Sequence, residues 1–160
     1  MGNNMKITEL DRYLFGQGTH YEIYKLLGAH PGTQRKKEGV FFAVWAPHAK
    51  TVSVVGDFNG WNPEVNVMKC DNDMGIYQLF IPKVREGDMY KYCITTQKGE
   101  FLYKSDPYGN FSEMRPGNAS KVVNLEGFKW GDTAWMKKRQ QFDPQKDAMS
   151  IYEVQDRKST

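Results

Sequence analysis

The sequence predicts a mainly β fold: an antiparallel β-sandwich preceded by a short helical segment. Three observations predict it. From Gly39 to Leu125, short runs rich in β-branched and aromatic residues alternate with Gly, Pro, Asn and Asp turns. No helical pattern lies between those runs, which argues against a parallel α/β sheet. The residues before Thr33 keep a helical spacing instead.

The elements follow in chain order. Thr8 to Phe15 reads as a helix, with Thr8 as N-cap and Asp11 three residues on. A second helix begins at Thr19, with Glu22 in the capping-box position and Ile23, Leu26 and Leu27 as its apolar stripe. Gly28 stops it and Pro31-Gly32 breaks the chain. Strands are expected at Val40–Trp45, Thr51–Val55, Ile76–Ile81, Met89–Thr96, Glu100–Tyr103 and Lys121–Leu125, each closed by a turn signal. Beyond them, Asp132 caps a helix carrying Trp135, Met136 and Lys137 to Gln141. Ile151–Val154 forms a strand without a nearby partner, and the polar residues 155–160 are expected to be disordered. The expected division is therefore a helical segment at 1–32, the sandwich at 33–127, a linker helix and strand at 128–154, and a tail at 155–160.

A length of 160 residues suits one domain, able to bury about 70% of its unfolded surface. No stretch reaches the ~20 apolar residues of a membrane span. The start lacks a secretory pattern, and Lys6 stands where a myristoylation signal needs Ser or Thr. Cys70 and Cys93 have neither CxxC spacing nor paired histidines, so they read as reduced thiols rather than zinc ligands. A cytoplasmic location is the expectation, with no membrane partner. The basic runs at Arg35–Lys37 and Lys137–Arg139 read as solvated, because no concentrated basic strip with interleaved aromatics points to nucleic acid.

Catalysis finds no foothold. There is no phosphate-binding GxxxxGKS loop, GxSxG elbow or HExxH pair. His20, His30 and His48 are scattered. Asp57, Asp71, Asp73, Asp88 and Asp106 all stand beside turn signals and read as turn formers. No catalytic residue, metal or cofactor is expected.

Binding is the better prospect. Gly56-Asp57-Phe58-Asn59-Gly60-Trp61-Asn62-Pro63 places an aromatic in a tight polar loop. Trp61 is either a plug sealing the sandwich or a flat platform for the C–H face of a sugar. Phe58 is the better candidate for the plug. Lys91, between Tyr90 and Tyr92, either donates to sugar hydroxyls or is a solvated strand lysine. Phe101 is a second platform or a core residue. Asn118 and Ser120 either bond hydroxyls or shape their own turn.

Val54-Val55-Gly56-Asp57-Phe58-Asn59-Gly60-Trp61-Asn62 resembles the hallmark of carbohydrate-binding module family 48. Further segments resemble the amino-terminal region of glycogen branching enzymes in glycoside hydrolase family 13: Tyr21 to Pro31, Phe41 to Ala49, Lys104 to Gly109, and Met149 to Val154. The likeness runs over about residues 7–154. It implies an immunoglobulin-like sandwich that binds α-1,4-glucan such as glycogen or maltooligosaccharide. It also implies a parent reaction transferring α-1,4 chains to α-1,6 branch points in glycogen synthesis, and a catalytic (β/α)₈ barrel as partner. The barrel needs ~250 residues, and its paired carboxylates match nothing here. In the family Ile-Tyr-Glu-Val continues as His-Leu-Gly-Ser-Trp, whereas Gln155 to Thr160 follow here. The resemblance assigns substrate binding to Trp61, Lys91, Phe101, Asn118 and Ser120. The alternative it leaves is a scaffold that packs on the barrel without binding sugar.

Overall fold

A computed structural model of the chain describes residues 7–71, 73–127 and 129–153. The chain divides into two compact units, Met1–Leu125 and Glu126–Thr160. The first is a sandwich of two antiparallel sheets. One contains β1 (Gly28–Gln34), β2 (Lys37–Trp45), β4 (Lys69–Asp71) and β5 (Ile76–Pro82), in the order β1-β2-β5-β4. The other contains β3 (Thr51–Gly56), β6 (Met89–Thr95) and β7 (Phe101–Lys104), with β8 (Ser120–Lys121) also on β6. β3 pairs along one edge of β6 from Tyr90 to Thr95. β7 and β8 share the other edge.

Alternation decides what each face buries. Val40, Phe42 and Val44 of β2 meet Val52 and Val54 of β3 and Tyr90 and Tyr92 of β6 in the core between the sheets. Phe42 and Tyr90 pack edge to face at 5.0 Å. The other face of β2 is also buried. Ala43 joins Ile7, Leu27, Met74 and Ile76 in a second cluster, against which Phe15 and Ile23 pack. That double burial explains the unbroken apolar run Val40–Trp45.

Phe15 belongs to α1 (Glu9–Gly16), whose start is the capping box that Thr8 and Asp11 predict. The Asp11 amide donates to Thr8 Oγ1 at 3.2 Å, and the Thr8 amide to Asp11 Oδ2 at 2.8 Å. Arg12 of α1 reaches Asp71 of β4 through two nitrogens, at 2.7 and 2.6 Å. Asp71 is thus an ion-pair partner rather than a plain turn former.

The structure corrects the expected secondary-structure elements in four places. The helix expected from Thr19 is only a turn with one short 3₁₀ segment, Ile23–Lys25. The sandwich starts at Gly28, ahead of the expected Thr33, because β1 runs through Pro31, which pairs opposite Val40. Proline is tolerated there because β1 is an edge strand and needs no N–H on its outer side. The strand expected at Lys121–Leu125 is reduced to Ser120–Lys121. Val122 is buried but unpaired with a neighbouring strand, and Leu125 is exposed.

The fourth correction falls in the second unit. It contains α2 (Thr133–Gln140), where Asp132 occupies the cap position without a side-chain hydrogen bond. Arg139 stacks over Trp135 at 5.6 Å. Ile151–Glu153 are exposed and carry no strand pairing, against the strand expected there. Val154 and the tail 155–160 lie outside the described residues. Cys70 is exposed and Cys93 buried, both free. Among the described residues no helix is long and apolar enough to cross a membrane.

Candidate functional site

The loop after β3 is built by Gly56 and Asn59. A side chain at Gly56 would meet the Met89 carbonyl at 2.3 Å and the Phe58 ring at 2.7 Å, so only glycine lets the chain turn here. Asn59 ties the turn together. Its Oδ1 accepts from the Gly56 amide at 3.0 Å, and its Nδ2 donates to Val54 O at 2.8 Å and Asn66 Oδ1 at 2.7 Å. Phe58 goes inward, packs against the core and lies 6.1 Å from the Phe42 ring. It is the plug that the sequence suggested.

Trp61 is placed differently. Its backbone is left-handed, φ 60°, directly after Gly60 at φ 63°. Its amide donates to Gly56 O at 3.0 Å. The indole is half-buried and belongs to neither hydrophobic cluster. Its Nε1 donates to Asp57 Oδ1 at 3.2 Å, while Asp57 Oδ2 accepts from the Met89 amide at 3.1 Å. One carboxylate therefore fixes the ring to the start of β6. Asp57 is more than a turn former, for it orients the indole.

Lys91 stands opposite Val55 on the outward face of the second sheet. Its ammonium donates to Asn118 Oδ1, so two candidates far apart in sequence meet. Asn118 is exposed, and its carbonyl accepts from the Ser105 hydroxyl. Ser120 is corrected. It is only 3% exposed, and its Oγ accepts from the Asp106 amide at 2.9 Å, so it holds the turn from within rather than presenting its hydroxyl outward.

The support beneath this turn is Asp106. Its Oδ2 accepts from the hydroxyls of Tyr90 at 2.6 Å and Tyr92 at 3.2 Å, and its Oδ1 from the Tyr108 amide at 2.8 Å. Burial pushes its carboxyl above the usual carboxylate range, against the pull of those donors. Burial likewise pushes Tyr92 well up, with the nearby Asp106 charge adding to it. The sequence reading of Asp106 as a turn former captured only the bond from Tyr108.

Phe101 opens β7, opposite Thr95, and is 58% exposed, so it is no core residue. Thr95 and Lys91 share a face of β6, and four residues of strand place Phe101 about 13 Å along from Lys91. Between them, opposite Cys93, lies Tyr103, also half exposed. Burial raises the thiol of Cys93 above its usual range, against the opposing pull of the neighbouring Tyr103 and Ser53 side chains. Tyr103 escaped the sequence reading. The signal was available, since it is two residues from Phe101 in a strand and so shares its face.

The result is a strip on one outward face: Lys91 with Asn118, then Tyr103, then Phe101. The tethered indole of Trp61 stands at the Gly56 end of the same pair of strands. Flat apolar rings interspersed with a few fixed polar groups suit a ligand with C–H faces and many hydroxyls. Among the described residues, no group of three or more His, Cys, Asp or Glu could hold a metal.

Comparison with known proteins gives the following. The sequence model of carbohydrate-binding module 48 (isoamylase N-terminal domain) matches residues 26–109. The 1,4-alpha-glucan branching enzyme GlgB of Butyrivibrio fibrisolvens is 52% identical over 153 residues, covering 96% of this chain and 24% of that protein. GlgB of Protochlamydia amoebophila is 49% identical over 146 residues, covering 91% of this chain and 20% of that protein. The chain thus spans between a fifth and a quarter of the length of these relatives. Among solved structures, the pullulanase from Bacillus acidopullulyticus superposes on 62% of this chain and 12% of its own, with a TM-score of 0.50 and 24% identity, a likeness of fold.

Proposed function

Because the chain belongs to the carbohydrate-binding module 48 family, we propose that it holds α-1,4-glucan against the outward face of its second sheet. Trp61 is the platform, Lys91 and Asn118 donate to and accept from hydroxyls, and Tyr103 and Phe101 extend the surface. Glycogen and maltooligosaccharides are the ligands, and a catalytic domain that branches glucan is the partner in the longer protein. We place that work in the cytoplasm. The sandwich that begins at Gly28 carries the binding, while the unit after Leu125 connects to the catalytic part.

The observation that carries this reading is the way Asp57 and Asn118 fix Trp61 and Lys91. Groups already held in place lose little freedom when a ligand arrives, which is how a shallow surface gains useful affinity. The glucan-branching relatives support the choice of ligand. The scaffold alternative is not favoured, because a fixed but solvent-accessible ring and amide serve a ligand better than they serve packing.

Titration of the chain with maltoheptaose, followed by ¹H–¹⁵N spectra, tests the proposal. Shifts should concentrate at the Trp61 indole N–H, the Asn118 amide group and the amides of β6 and β7. Spectra unchanged through millimolar sugar would refute it.

A further inference from the structure

A cleft of about 600 Å³ opens at one end of the sandwich. None of Trp61, Lys91, Phe101 or Asn118 lines it. Its floor includes Phe58 and Ile81, at the margin of the core between the sheets. Around the floor stand Asp57, Asp88, Lys83 and Arg85. A volume in this range suits a small ligand.

The charges decide which ligand. Lys83 and Arg85 are exposed, and among the described residues neither side chain forms an ion pair. Lys83 sits in a left-handed conformation, φ 69°, held by its amide on the Glu38 carbonyl at 2.9 Å. Asp88 Oδ2 accepts from the Arg85 amide at 2.8 Å. Asp57 already serves Trp61 and Met89. Each carboxylate has about four acceptor sites, so both keep capacity for further donors.

Two cations beside two anions leave the cleft without net charge. An anionic ligand would gain from Lys83 and Arg85 what it loses to Asp57 and Asp88. A neutral polyhydroxyl ligand uses all four. Its hydroxyls donate to the carboxylates and accept from the ammonium and guanidinium, while its C–H face covers Phe58.

We propose that this cleft is a second subsite for neutral α-glucan, separate from the Trp61 strip and joined to it through Asp57. The class of ligand rests on the function proposed above; the place does not. A chain spanning both would be gripped at two points, which raises its effective affinity over that of either surface.

The test is titration of the full chain with maltoheptaose, and in parallel with inorganic phosphate, followed by ¹H–¹⁵N spectra. The amides of Arg85, Gly87 and Asp88 should shift with maltoheptaose in the parent and also in Trp61→Ala. In Lys83→Ala/Arg85→Ala those shifts should need about tenfold more sugar, the worth of one or two lost hydrogen bonds, while the Trp61 indole still responds. Silent cleft amides beside a responding Trp61 indole would overturn the subsite alone. Responding cleft amides beside a silent Trp61 would leave the cleft standing and overturn the strip. A response to phosphate at lower concentration than to maltoheptaose would overturn the neutral ligand.

Discussion

Replacing Trp61 by alanine removes the indole and little else. The ring is half-buried and outside both hydrophobic clusters, so its truncation leaves no large cavity. Full burial of such a ring is worth 3–5 kcal/mol, and roughly a third of that, about 1–2 kcal/mol, is the expected loss of stability. The loss includes the Nε1 hydrogen bond to Asp57, whose carboxylate keeps its bond from Met89 and regains water. For binding, an aromatic anchor of this kind carries about 2 kcal/mol or more, which converts to an affinity roughly 30-fold weaker. The assay is migration through a native gel containing glycogen, with thermal melting as the control for folding. Trp61→Phe should fall between parent and alanine variant, since it keeps a ring but loses the tether to Asp57. If Trp61→Ala migrates with the parent while still melting cooperatively, the indole is no platform.

Lys91→Ala should weaken maltoheptaose binding by about tenfold, measured by calorimetry, since it removes one donor and frees the Asn118 amide to wander. Phe101→Ala and Tyr103→Ala should weaken maltoheptaose binding while leaving maltotriose nearly unchanged, because both rings lie along the strand from Lys91; equal losses for the two sugars would contradict this placement. Asp71→Asn should give a pH-dependent change in melting temperature. Its hydrogen bond and charge pairing with Arg12 hold the Asp71 carboxyl below the usual range. A depressed folded-state value contributes stability above the unfolded carboxylate range and loses it as pH falls through the folded value. The difference between parent and variant should therefore be constant above about pH 5 and close below about pH 4. A difference that widens in acid would refute the pairing.

β3, β6 and β7 of the second sheet were legible because they are short and bounded by residues that cannot continue them. Thr51–Val55 ends at Gly56, whose lack of a side chain is demanded by the Met89 carbonyl. The edge strand β1 was not legible, for Pro31 is ordinarily a strand breaker and only its edge position excuses it. β4, a short strand of Lys, Cys and Asp, has no apolar alternation to betray it. At the site, the motif loop pointed to Trp61 and the strand pattern to Lys91. The pairing of Lys91 with Asn118 was out of reach, because it forms only when the loop before β8 comes beside β6, which no local spacing encodes. Asp57 lies four residues from Trp61 in the same loop, yet its turn-forming chemistry hid its hold on the indole. Asp106 shows the same limit, since its neighbours in sequence explain one of its acceptor bonds and the fold explains the others.

The left-handed backbone at Trp61 has a consequence for how this loop can change over time. A bulky residue pays on the order of 1 kcal/mol or more to sit there, whereas glycine or asparagine adopts that geometry readily. Random drift toward a sturdier loop therefore leads away from the ring, and under the proposed function it is grip on a ligand that offsets the cost of seating an indole there. Trp61→Gly and Trp61→Asn are the variants in which durability and grip should part company.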